Sequence, residues 1–289
     1  MQKQIFGESM KKMMFVTALT SLCLGACGGG GGSGSGSAAQ PAARALTISM
    51  YGNPLVSSSA GVVAHAQVRA VAMAASEPAT GASDAQATVQ TLQDALAARG
   101  VTATVTAQVM DGTTLHQIVM GENNGLPPTP DQFKTDPSEW MIVNFQLDDM
   151  TTPASDPSQQ AAINQFIQDL TVFSQRAAVV GKAVFAVARI QTCDSQYSAS
   201  FGVSNAFARA LGNGAPIRII GQIPLSVAFD TSGNAVPSPD LVHLGADCRT
   251  PDAYLLNERV QAVADSIAAG YKEAATPAGA ASGASSTGT

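Results

Sequence analysis

Apolar and polar positions in this chain fall into two alternating rhythms, a short compact one and a helical one. Residues 45–51 (Ala-Leu-Thr-Ile-Ser-Met-Tyr) predict an opening strand. After a polar, Ala-rich insertion, residues 87–99 place Val89, Leu92 and Leu96 on one helical face, with Gly100 positioned to end the helix. Residues 101–109 alternate Val and Thr as a strand does. One or two helical turns are expected over 113–120, then a short buried strand over 141–145. Asp156-Pro157 starts the longest helix, in which Ile163, Phe166, Ile167, Leu170 and Phe173 recur at helical spacing. Strands over 182–188 and 216–221 flank a helix over 203–211 that Gly212 closes. Thr250-Pro251-Asp252 caps a last helix, whose Leu256, Val260, Val263 and Ile267 form an inward stripe.

Strands that alternate with helices predict a flavodoxin-like, three-layer α/β/α sandwich around a parallel sheet of about five strands. Ligands in such folds bind outside the carboxyl ends of the strands. Gly52, Met110-Asp111-Gly112, the segment 146–150 and Cys193 follow the first four strands and are expected at that edge.

The ends follow neither rhythm. Lys11-Lys12, the apolar run 13–24 and Gly25-Ala26-Cys27 describe a secretory leader. The Leu24-Gly25-Ala26-Cys27 ending resembles a bacterial lipobox, in which Cys27 becomes the lipidated first residue. Residues 28–43, Gly/Ser-rich and then Ala/Pro-rich, cannot bury apolar area and predict a flexible tether. The expected organisation is a lipoprotein signal peptide over 1–26, anchor and tether over 27–43, a folded domain over 44–275 and a disordered Ala/Gly/Ser/Thr tail over 276–289. This implies an exported bacterial lipoprotein of the cell envelope, held at a membrane through Cys27. Gly28 rather than Asp after the anchor resembles the outer-membrane pattern.

Charge narrows the partners. The net charge is −6, and the leader carries Lys3, Lys11 and Lys12 against Glu8, so the remainder is more acidic still. No basic cluster offsets it, which excludes nucleic acid as the expected partner. Past the leader no apolar stretch is long enough to span a bilayer. Of four cysteines, Cys23 leaves with the leader and Cys27 is the anchor. Cys193 and Cys248 remain, and an even pair in an exported chain predicts a disulfide. Neither has a His or second Cys at ligand spacing, so no metal and no cofactor is expected.

The chemistry concentrates at Asp240-Leu-Val-His243, in a loop just before the last helix. A carboxylate beside an imidazole can fix its tautomer and stabilise its charged form, as a general base requires. In order, Tyr51-Gly52-Asn53-Pro54, Met110-Asp111-Gly112-Thr113-Thr114, the Asn144–Met150 segment and Asp240-Leu-Val-His243 resemble the four blocks of the SGNH (GDSL-type) hydrolase superfamily of esterases, lipases and acetylesterases. The resemblance spans residues 45–272. It implies Asp240 and His243 as the retained catalytic pair and Gly112 as a backbone oxyanion donor. The sequence departs from the pattern twice. Pro54 stands in the nucleophilic serine position, and Asp148 stands where the family has an oxyanion-stabilising Asn. Gln146 also replaces a Gly in the third block.

Proline has no hydroxyl and no N–H, so Pro54 can neither attack a carbonyl nor donate to an oxyanion. A carboxylate at Asp148 repels the charge that an oxyanion hole must stabilise. The expectation is a pseudoenzyme of ester-hydrolase ancestry, its activity lost or much reduced, with a glycan, acyl ester or protein bound in the old cleft. The alternative is an active hydrolase in which Ser57, Ser58 or Ser59 replaces the nucleophile and works with His243 and Asp240. Water activation by His243 with Asp148 or Asp149 is a lesser route. In the lost-site reading the Asp240–His243 pair persists as a loop clamp, and a Cys193–Cys248 bridge stiffens the rim beside it. His65, in the Ala-rich insertion, and His116, beside apolar Ile118 and Val119, read as structural.

Overall fold

A computed structural model of the chain describes residues 44–57, 83–122, 125–193, 199–223, 225 and 227–275. The expected leader, anchor, tether and tail lie outside these residues, as do Ser58, Ser59 and His65.

Five strands, β1 (Leu46–Gly52), β2 (Ala103–Val109), β3 (Trp140–Asn144), β4 (Ala183–Val187) and β5 (Ile217–Ile220), make one sheet in the order β2-β1-β3-β4-β5. Every neighbouring pair is parallel. This is the flavodoxin-like order that the alternation predicts. The helices are α1 (Asp84–Ala97), α2 (Leu115–Met120), α3 (Pro157–Val179), α4 (Ala199–Gly212) and α5 (Ala253–Ala275). A 3-10 turn, Pro239–His243, precedes α5.

Successive side chains of a strand point to opposite faces, and the two cores divide on that rule. Tyr51, Met141, Val143, Val184 and Ala186 pack with α2, α3 and α4 on one face. Ile48, Met50, Ile142, Phe185 and Val187 pack with α1 and α5 on the other. Central strands buried on both faces read as continuous apolar runs, which is why β3 and β4 are short and wholly hydrophobic in sequence until Asn144.

Local chemistry explains the helix starts. Ser83 caps α1, Asp156 caps α3 with Pro157 behind it, and Thr114 forms a capping box with Gln117 at α2. At the amino-terminal edge of the sheet, Lys182 Nζ lies 3.8 Å from Asp136 Oδ1, with side chains 6% and 4% exposed. Asp136 also accepts hydrogen bonds from Tyr51 Oη at 2.7 Å and the Ser138 N–H at 2.8 Å. Burial opposes its charge, but these bonds outweigh it and hold the carboxyl below its ordinary range. Burial, the bond to Asp136 and its charge drive the Tyr51 phenol far up.

Candidate functional site

The carboxyl edge is organised by Asn144, the last residue of β3, which is 1% exposed. Its carbonyl accepts from the Asn53 N–H at 2.8 Å. Its side-chain amide donates to the carbonyls of Asn53 at 2.7 Å and Pro54 at 3.2 Å. Gly52 makes this approach possible: at φ +91° a Cβ there would lie 2.6 Å from the Asn144 carbonyl oxygen. Further along the loop, Thr88 Oγ1 accepts from the N–H groups of Leu55 and Val56 at 3.0 and 3.3 Å. Pro54 is therefore held in place from both sides.

The first three sequence blocks do meet. Gly52, Asn53, Gly112, Gln146 and Asp148 line one open cavity of about 330 Å³. Asp148 is exposed there, a carboxylate in the place where the resemblance implies an amide donor. Its neighbour Asp149 is committed to a turn: hydrogen bonds from Thr152 and Thr151 hold its carboxyl far below the usual range.

The fourth block is placed differently from the sequence expectation. The partner of His243 Nδ1 is Asp252, with Oδ2 at 2.8 Å, and not the Asp240 that the Asp-x-x-His spacing selects. The physical reason lies in the segment between them. Leu244 and Pro251 form an antiparallel bridge, the Gly245 N–H donates to the Thr250 carbonyl at 2.7 Å, and the Asp252 N–H donates to the His243 carbonyl at 2.9 Å. This small hairpin folds the start of α5 back onto the imidazole. The ring also stacks on Tyr254, centroids 4.3 Å apart. Burial disfavours the Asp252 charge, but the bonds from His243 and Leu255 hold its carboxyl below the usual value. Asp240 and His243 do line one cavity of about 90 Å³, shared with Ile223, Tyr254 and Glu258. That cavity shares no lining residue with the one holding Pro54. The Asp240/His243 loop and the Pro54 loop thus line separate cavities.

Pro54 and Ser57 instead line a cleft of about 330 Å³ with Gln146, Thr192, Ser200 and three arginines, Arg189, Arg249 and Arg259. Among the described residues, no imidazole, carboxylate or thiol lines it. Arg259 is 4% exposed, and one guanidinium nitrogen, Nη2, donates to Asn144 Oδ1. Its Nε, and Nε and Nη1 of Arg189, are buried with no hydrogen-bond partner among the described residues. Burial, and then the nearby charge of Arg189, lower the Arg259 pKa to about 9; burial alone lowers Arg189 to about 10. A second cavity of about 660 Å³ continues from this cleft through the shared residues Ile190, Thr192 and Ser200.

The rim is tied by Cys193–Cys248, as the cysteine count predicts, with Cα atoms 4.9 Å apart. His116 is bonded through Nδ1 to the buried Asp169 at 3.0 Å. Among the described residues no group of three His, Cys, Asp or Glu could hold a metal.

Arg189, Arg259 and Asp252 were not singled out by the sequence reading. Arg259 had a signal: it falls on the buried row Leu255–Arg259–Val263 of α5, where a cation is out of place. Asp252 was read only as a helix cap. Arg189 follows directly on β4 and had no signal beyond that position.

No protein-family model matches the chain, and the search of curated proteins finds no match. Solved structures with a similar chain course include a candidate SGNH hydrolase from Slackia heliotrinireducens, 16% identical, with a TM-score of 0.45 over 78% of this chain and 100% of that one. TesA is 14% identical, with a TM-score of 0.45 over 77% and 98%. The psychrotrophic esterase EstA from Pseudoalteromonas sp., crystallised with monoethylphosphonate as inhibitor, is 11% identical, with a TM-score of 0.42 over 76% and 98%. These likenesses are too distant to bring residue roles or an activity to this chain.

Proposed function

We propose that this chain is a lipid-anchored, SGNH-hydrolase-like envelope protein that binds a ligand in the cleft beside Pro54 and does not hydrolyse it. One observation carries the reading: among the described residues no general base lines the cleft that holds the nucleophile position, while His243 lines a separate cavity, bonded to Asp252. A serine hydroxyl needs a base within about 2.6–3.2 Å to act as a nucleophile. Ser57 lines the cleft, and no described imidazole lines it with Ser57. The ancestry rests on the order of the four sequence blocks and on the strand order they share the edge of. Anchoring rests on the leader and Cys27, and places the domain at the cell envelope, with the outer membrane as the favoured site.

Hydrolysis of p-nitrophenyl acetate by the full-length protein tests the catalytic half. A rate equal to that of buffer supports the reading. Turnover abolished by His243→Ala overturns it, and fluorophosphonate labelling would then identify Ser57, Ser58 or Ser59 as the nucleophile. Metabolic labelling with a fatty acid, lost on Cys27→Ser, tests the anchor.

A further inference from the structure

Two guanidinium groups line the Pro54 cleft with no described carboxylate opposing them. No Asp or Glu lines the cleft among the described residues, and neither Arg189 nor Arg259 forms an ion pair there with a described carboxylate. Guanidinium groups stay protonated at neutral pH, so both charges are present and lie close enough to disfavour one another. Burying a charge without a partner is costly, and burying two like charges together is costlier. A fold stabilised by packing alone would place Leu or Met at these positions.

The unpartnered atoms define what is missing. Nε of Arg259 and Nε and Nη1 of Arg189 are donors with no solvent access and no acceptor among the described residues. Arg259 is held in place through Nη2 by Asn144, whose own amide is spent on the Asn53 and Pro54 carbonyls. The Arg259 donor is thus pre-positioned, and the adjoining space has room for a small group. Planar, forked donors of this kind match carboxylate and phosphate oxygens.

We propose that this cleft binds an oxyanion, the carboxylate or phosphate group of its ligand, clasped between Arg189 and Arg259. The proposal rests on the reading of the cleft as a binding site and adds the chemistry of its occupant. The remainder of the ligand extends past Ile190, Thr192 and Ser200 into the adjoining cavity. The lining there combines the Thr192–Ser200 hydroxyl pair, bonded at 3.0 Å, with apolar surface at Ile190 and Phe201.

Calorimetric titration of the full-length protein with inorganic phosphate and with acetate, each against chloride at matched ionic strength, tests this. The expected result is saturable binding of at least one oxyanion, weakened about tenfold or more by Arg189→Gln. Arg218→Gln, at an exposed arginine 3.9 Å from Glu273 that lines neither cavity, is expected to leave it within about twofold. Preference for phosphate assigns a phosphorylated ligand, and preference for acetate a carboxylated one. Arg259 is too deeply buried for its replacement to be a clean test, whereas the Arg189 guanidinium is not tied into the fold by its buried Nε and Nη1. No binding beyond chloride, or equal binding by wild type and Arg189→Gln, overturns the proposal. Ester hydrolysis alongside intact anion binding would overturn only the non-hydrolytic reading; the reverse pair of results would overturn only the oxyanion.

Discussion

The Asp252 carboxylate holds His243 with one oxygen and the start of α5 with the other. Oδ2 lies 2.8 Å from His243 Nδ1, and Oδ1 accepts from the Leu255 N–H at 3.0 Å. One side chain thereby fixes a loop and a helix end. Asp252→Ala is expected to cost about 1–2 kcal/mol, the combined loss of a helix cap and a side-chain bond. Asp252→Asn, which can still cap, should cost less. Urea unfolding of the two variants measures both values.

Restoring the hydroxyl does not restore the chemistry. Pro54→Ser is expected to raise p-nitrophenyl acetate hydrolysis less than about tenfold over wild type, because no base lines the cleft among the described residues. A large gain, lost again in the double variant with His243→Ala, would mean that the imidazole reaches residue 54.

Asp136, held below its ordinary range by the bonds from Ser138, Tyr51 and Ser49 despite its burial, contributes to the acid limb of stability. The Asp136 carboxyl is held below its ordinary value in the folded state, so its contribution is complete above the unfolded value of about 3.9 and is lost as pH falls through the folded value. Asp136→Asn should flatten the decline in unfolding midpoint below about pH 4. Lys182→Met, which leaves a buried carboxylate short of its cation, is expected to cost about 3 kcal/mol at neutral pH.

The Cys193–Cys248 bridge closes a loop of 55 residues. Loop-closure entropy for that length is worth about 4 kcal/mol, so reduction should lower the unfolding midpoint substantially. Intact mass should fall by two hydrogens relative to the reduced chain, and free thiols at both positions under non-reducing alkylation would refute the pairing.

If the two arginines are kept for a ligand, the empty cleft should be a weak point. Arg189→Met is expected to leave the ligand-free protein as stable or about 1 kcal/mol more stable, while abolishing anion binding. Chemical denaturation without and with phosphate separates the two effects.

The scaffold was legible because its signals are local. Continuous apolar runs at β3 and β4, the stripe at Ile163–Phe166–Leu170 and the cap at Asp156-Pro157 each declare their element within a few residues. The site was legible only as far as chain order reaches. Gly52, Gly112 and Asp148 each follow a strand, so parallel topology alone brings them to one edge. The partner of His243 depends on the hairpin between Leu244 and Pro251, and that closure is written in no spacing rule. Arg259 escaped notice for another reason: it interrupts an apolar row by a single residue, and only burial shows that its charge faces inward.

The disulfide joins the segment that follows Arg189 to the hairpin that leads into α5 and Arg259. Two like charges side by side push their supports apart, and a covalent tie between those supports opposes that force without needing a ligand. If the cleft takes the proposed anion, the bridge would hold its charged form in shape while it is empty.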